Sequence, residues 1–182
     1  MEEGGDSDFT PDVEVRHGDV IEGENWSVEC VYTPGHTSNH MCFQLREERV
    51  LFTGDHVMGW STSVISPPDG DMSAYMSSLR LLLDRNDEVY WPTHGPAISN
   101  PKAHVQAFIA HRNERMSQIR NVLSKGASDI QSMVPDMYQG VDENLYPAAG
   151  RSVFAAMEYL LEKGEVLCEG EPNMRSVFRL RD

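Results

Sequence analysis

Three times in this chain an apolar run ends in a glycine-containing turn that presents a side chain able to bind a metal. The turns are Thr33-Pro34-Gly35-His36-Thr37, Phe52-Thr53-Gly54-Asp55-His56 and Trp91-Pro92-Thr93-His94-Gly95-Pro96. Neutral imidazoles and a carboxylate make a donor set that suits zinc. A glycine beside each lets the backbone pass close to a neighbour. His36 lies 19 positions before Asp55, and His94 lies 39 after it. The three can meet only if a sheet brings its strand ends to one edge.

The elements needed for that are visible in the hydrophobic pattern. Trp26 to Tyr32 alternates apolar and polar residues, as a half-buried strand does. His40 to Leu45 and Arg49 to Thr53 read as two more strands around the charged turn Arg46-Glu47-Glu48. From Asp71 to Asn86 the period becomes helical, with Met72, Tyr75, Leu79, Leu82 and Leu83 on one face and Asp71 as N-cap. Val89-Tyr90-Trp91 is a last short strand. Beyond Pro101, a first-turn proline, a long helix carries Val105, Phe108, Ile109, Arg112, Met116, Ile119 and Leu123 in a stripe, with Gly126 as its C-terminal signal. A short helix from about Ser128 should break or end near Pro135. A third helix presents Val153, Phe154, Met157, Leu160 and Leu161 and stops at Gly164. Val166–Cys168 and Val177–Leu180 then form a hairpin. Three helices and a terminal hairpin are the layout of a winged helix.

Composition sets the outer bounds. A chain of 182 residues, 40% apolar and 24% charged, is one domain, or one and a small second. No apolar run approaches the roughly 18 residues of a membrane span. Cys30, Cys42 and Cys168 are odd in number and widely spaced, so they read as reduced thiols of a cytoplasmic protein. The net charge of −14 argues against nonspecific grip on nucleic acid. Residues 1–98 hold 5 Lys/Arg against 18 Asp/Glu, whereas residues 99–182 hold 10 against 11. That shift suggests two regions with a boundary near Ser99-Asn100-Pro101, a first over 11–98 and a helical one over 99–182, behind a flexible acidic, glycine-rich start over 1–10.

The three turns, with Leu51-Phe52-Thr53-Gly54-Asp55-His56 and Pro67-Pro68-Asp69-Gly70-Asp71-Met72 ahead of Tyr75 and Leu79, resemble the second half of the metallo-β-lactamase fold. The resemblance is to the hydrolase branch that carries a C-terminal winged helix, that of β-lactamase-like protein 2, and it covers about residues 11–182. It implies a mixed α/β (α+β) chain: the C-terminal half of an αββα sandwich followed by a winged-helix domain. It implies that His36 is a ligand of a first zinc, Asp55 a carboxylate bridging two zincs, and His94 a ligand of the second. The two ions would activate a water as the nucleophile, so no side chain is assigned as catalytic.

The departure from the family pattern matters as much. The other ligands of the family come from a His-x-His-x-Asp-His motif in the first half of the fold, and this sequence has none; His17 is its only histidine before His36. The expectation is therefore a truncated chain whose missing half, or self-association, must cover the sheet. His40 and His56 are read as site-adjacent, with His56 pointing away from the ions. Tyr75 is read as core, and His104 and His111 as solvated or interface residues of the long helix. The leading function is a zinc-dependent hydrolase of a small ester, thioester or lactam-like substrate. Alternatives are a single-stranded RNA endonuclease of the same fold, disfavoured by the acidic first region, and a non-catalytic interaction module. The third helix has only Arg151 and Lys163, opposed by Glu158 and Glu162, too few donors for a DNA recognition helix.

Overall fold

The computed structural model describes residues 10–181. The acidic start expected over 1–10 lies, but for Thr10, outside the described residues. Five strands, β1 (Val20–Gly23), β2 (Trp26–Tyr32), β3 (Met41–Leu45), β4 (Val50–Gly54) and β5 (Val89–Pro92), form one sheet in the order β1-β2-β3-β4-β5. The first four are antiparallel neighbours, and β5 joins β4 in parallel. A parallel neighbour needs a crossover, which α1 (Met72–Asp84) supplies. Asp71 caps α1 as expected, accepting the Ala74 N–H at 2.7 Å. Because β2 and β4 run the same way and β5 is parallel to β4, the C-terminal ends of all three lie at one edge. That is the edge the candidate residues follow.

The two faces of the sheet have different neighbours. Val31, Cys42, Leu51 and Tyr90 point toward the helices and are fully buried. On the opposite face the register aligns Cys30 with Phe43, Phe43 with Phe52, and Phe52 with Trp91. This face is also apolar, yet Ile21, Tyr32, Phe52 and Trp91 are 40–54% exposed. An antiparallel sheet that faces water carries polar residues on that side. This one does not.

The second region consists of α2 (Pro101–Leu123), β6 (Ser128–Asp129), α3 (Ile130–Met137), a short 3-10 turn at Glu143–Leu145, α4 (Tyr146–Glu162), β7 (Val166–Cys168) and β8 (Val177–Leu180). Asn100 caps α2 ahead of Pro101. The α2 stripe is buried as its spacing requires, and α1, α2 and α4 share one continuous apolar core from Val31 to Phe178. Three details differ from the sequence reading. The terminal hairpin is a three-stranded sheet of order β6-β8-β7, since Ser128-Asp129 pairs with β8. Helix α3 continues through Pro135 to Met137, because its apolar face, Ile130, Met133, Val134 and Met137, is buried and outweighs one lost hydrogen bond. The long helix closes at Ser124, two residues before Gly126. No helix among the described residues is long and apolar enough to cross a membrane.

Candidate metal centre

His36 sits on the turn after β2, which is held against the first turn of α1. The Asp71 N–H donates to the Gly35 carbonyl at 2.9 Å, and Ser78 Oγ donates to the Pro34 carbonyl at 2.8 Å. Gly35 has φ +135°, and a Cβ there would stand 2.3 Å from the Tyr75 Cα. Only glycine lets this turn lie directly on the helix backbone.

Asp55 follows Gly54 (φ +53°) at the end of β4. The turn behind it is closed by Thr53 Oγ1, which donates to the Val57 carbonyl at 2.8 Å, and by the His56 N–H, which donates to the Thr53 carbonyl at 3.1 Å. His94 follows β5, and its carbonyl accepts the Gly59 N–H at 2.8 Å.

The Asp55 carboxylate stands between the two imidazoles. His36 Nε2 is 3.8 Å from Oδ2, and His94 Nε2 is 3.6 Å from Oδ1. Both distances exceed a hydrogen bond. They leave room for an ion that touches nitrogen and oxygen at about 2.0–2.2 Å each. Asp55 Oδ1 is buried without any hydrogen-bond partner, an orphaned acceptor that a cation would satisfy. The His36 ring is already set for a ligand. Its Nδ1 lies 2.6 Å from the Val64 carbonyl, which can only accept, so Nδ1 carries the proton and Nε2 presents its lone pair toward Asp55. The donor set therefore fits a metal, but only as part of a site. Among the described residues, no three His, Cys, Asp or Glu side chains converge closely enough to hold one ion.

Four of the five other histidines are placed as follows. His40 Nδ1 bonds Thr33 Oγ1 at 2.9 Å, and its ring meets His36 edge-on at 6.3 Å. Burial, aided by His36, lowers its pKa to about 4, so it is neutral near pH 7. His56 turns into the core against Tyr75, with ring centroids 4.7 Å apart. It is fully buried, both ring nitrogens lack partners, and burial holds its pKa well below the ordinary value. Its ring also lies 5.5 Å from that of His40. Tyr75 is buried with its hydroxyl on the His56 carbonyl. His104 bonds the Met58 carbonyl at 2.9 Å, tying α2 to the loop after β4. His17 accepts the Tyr32 N–H at 3.1 Å, which binds the chain ahead of β1 to the end of β2. Two contributors escaped sequence reading: Trp60, whose exposed ring lies parallel to His94 at 6.3 Å, and Val64.

Comparison with known proteins identifies the family and the fold. Residues 2–94 match the metallo-beta-lactamase superfamily profile. The chain belongs to that superfamily. Residues 130–174 match the beta-lactamase associated winged helix domain, so this metallo-beta-lactamase chain combines the two parts its sequence suggested. The lactamase-like protein adaB of Aspergillus niger is 32% identical over 93% of this chain and 57% of its own length. The beta-lactamase-like protein 2 homolog of Drosophila melanogaster is 33% identical over 84% of this chain and 51% of its own. A metallo-beta-lactamase family protein from Thermus thermophilus superposes with a TM-score of 0.80 at 22% identity, covering 94% of this chain and 55% of that one. A beta-lactamase domain protein from Burkholderia ambifaria superposes at 0.83 with 19% identity, covering 93% and 52%. These two likenesses establish the fold. The chain spans just over half the length of the two curated relatives, adaB and the Drosophila homolog.

Proposed function

We infer that this chain contributes one side of a two-zinc hydrolase site, with His36 on the first ion, Asp55 shared and His94 on the second. The observation that carries the reading is the Asp55 carboxylate, with one oxygen toward each imidazole and Oδ1 buried without a partner. Residues 11–98 would bear the site and residues 99–182 the winged-helix part, in a cytoplasmic protein whose thiols stay reduced. A second polypeptide stretch bearing the His-x-His-x-Asp-His motif would complete the ligand sets. The apolar outer face around Phe52 and Trp91 supports such a covering layer, because an exposed apolar sheet of this extent needs a partner.

Two divalent ions in such a site lower the pKa of a water and polarise a scissile carbonyl or phosphoryl group. The chain's own residues do the positioning. His36 is locked by the Val64 carbonyl to offer Nε2, and Asp55 offers one oxygen to each side. His94, with a side chain 53% exposed, stands at the open mouth beside Trp60. A small ester, thioester or lactam suits this site better than a polynucleotide, given the excess of acid over residues 1–98. In the full-length gene product, removal of metal by a chelator should abolish turnover of such substrates, and added zinc should restore it. Turnover that survives complete metal removal would refute the reading.

A further inference from the structure

We propose that Arg112 of α2 is a positioning residue for this metal site, acting through residues 63 and 64 to hold Asp55 and His36 in place. The proposal rests on the metal-site reading above. Arg112 occupies a core position of the α2 stripe and is 6% exposed. Among the described residues no carboxylate pairs with it. A guanidinium buried without a countercharge is costly, and an apolar residue of similar volume would be at least as stable there. The position therefore carries an arginine for something other than packing.

Its contacts show what that is. Arg112 Nη2 donates to the Ser63 carbonyl, and its guanidinium lies 5.2 Å from the Tyr75 ring centroid. Ser63 is 2% exposed. Its hydroxyl reaches back to the turn of the bridging residue, within bonding distance of the Asp55 carbonyl and 2.7 Å from that of His56. Tyr75 donates to the same His56 carbonyl at 3.1 Å. The next carbonyl along the chain, that of Val64, takes the His36 Nδ1 proton. Two consecutive residues thus touch the backbone of Asp55 and the ring of His36, and α2 fastens them from behind. A helix of the second region in this way fixes the separation of two donors in the first. Ligand geometry must hold to about 0.5 Å for a working site, and outer partners of metal ligands typically matter 10–100-fold for affinity.

The test uses the full-length gene product and cobalt(II) as the probe, with affinity read by chelator competition and geometry by visible absorption. Arg112→Met and Ser63→Ala should each weaken cobalt binding by about 10–100-fold and alter the absorption band. The metal-free melting temperature of Arg112→Met should change little, because loss of the donor to the Ser63 carbonyl is offset by removal of a buried charge that has no carboxylate partner. The double variant should lose little more than the weaker-binding single one, since both break one chain of contacts. Should Arg112→Met fail to fold, Arg112→Lys still decides, because it keeps a cation in the core but cannot reproduce the guanidinium contact with the Ser63 carbonyl. Wild-type affinity and spectrum in both variants, or losses that only track a lower melting temperature, would overturn the role of Arg112 alone. A wild-type protein that binds no cobalt would overturn the metal-site reading, and this inference with it.

Discussion

Expressed alone, the 182-residue chain should bind zinc weakly and turn over esters, thioesters and lactams at no more than background rate. It should also elute larger than its 20.5 kDa mass. Joined to a stretch that carries the His-x-His-x-Asp-His motif, either ahead of Met1 or as a separate polypeptide, it should gain both zinc binding and activity. The reason is a count of donors. On the proposed reading the chain would bring one histidine to each ion and a shared carboxylate, whereas a catalytic zinc takes three protein ligands. Without the rest, the orphaned Asp55 oxygen and the two imidazoles hold an ion loosely. Association follows from the exposed apolar face. Ile21, Tyr32, Phe52 and Trp91 lie on the sheet side opposite the helices, and two copies can bury it against each other. A monomer with tight zinc binding and full turnover from these residues alone would contradict the expectation.

The second large effect concerns Gly35. Gly35→Ala should lower stability by on the order of 3 kcal/mol or more, a melting shift of roughly 6–12 °C. It should also weaken metal binding, because the turn that presents His36 must lift off α1. The added Cβ would meet the Tyr75 backbone at 2.3 Å, and backbone cannot swing aside. Gly126→Ala is the control. Gly126 has φ +144°, but a Cβ there meets nothing within 4 Å, so that change carries the conformational strain without the collision. Thermal melts should show the larger loss for Gly35→Ala. Equal losses at the two positions would mean that the contact with α1 is not what fixes the turn.

Much of the framework was legible because its signals are local. The alternation of Trp26–Tyr32, the capping side chain of Asp71, the first-turn Pro101 and the glycine after α4 each act within a few residues. The convergence of His36, Asp55 and His94 could also be read, because β2, β4 and β5 end at one edge and each turn follows its strand directly. What could not be read depends on partners far along the chain. The two-residue strand β6 exists only through pairing with β8, about 50 residues later. Helix α3 passes Pro135 because of burial against α4, which no local propensity encodes. The proton on His36 Nδ1 is set by the Val64 carbonyl, 28 residues away. Arg112 did leave a trace in the sequence, a guanidinium in phase with an apolar stripe, but its target at Ser63 is visible only in three dimensions.

The central claim is that one carboxylate, Asp55, serves two ions. Zinc content and affinity of the chain joined to a stretch that carries the His-x-His-x-Asp-His motif, and of its Asp55→Ala variant, test it most directly. The wild-type protein should hold about two zinc ions per chain. The variant should lose tight binding of both together, with each affinity down by more than the roughly 100-fold typical of outer partners, while its metal-free melting temperature stays near that of the wild type. Two tightly bound zinc ions in Asp55→Ala, or the loss of only one with the other unchanged, would contradict the bridging role.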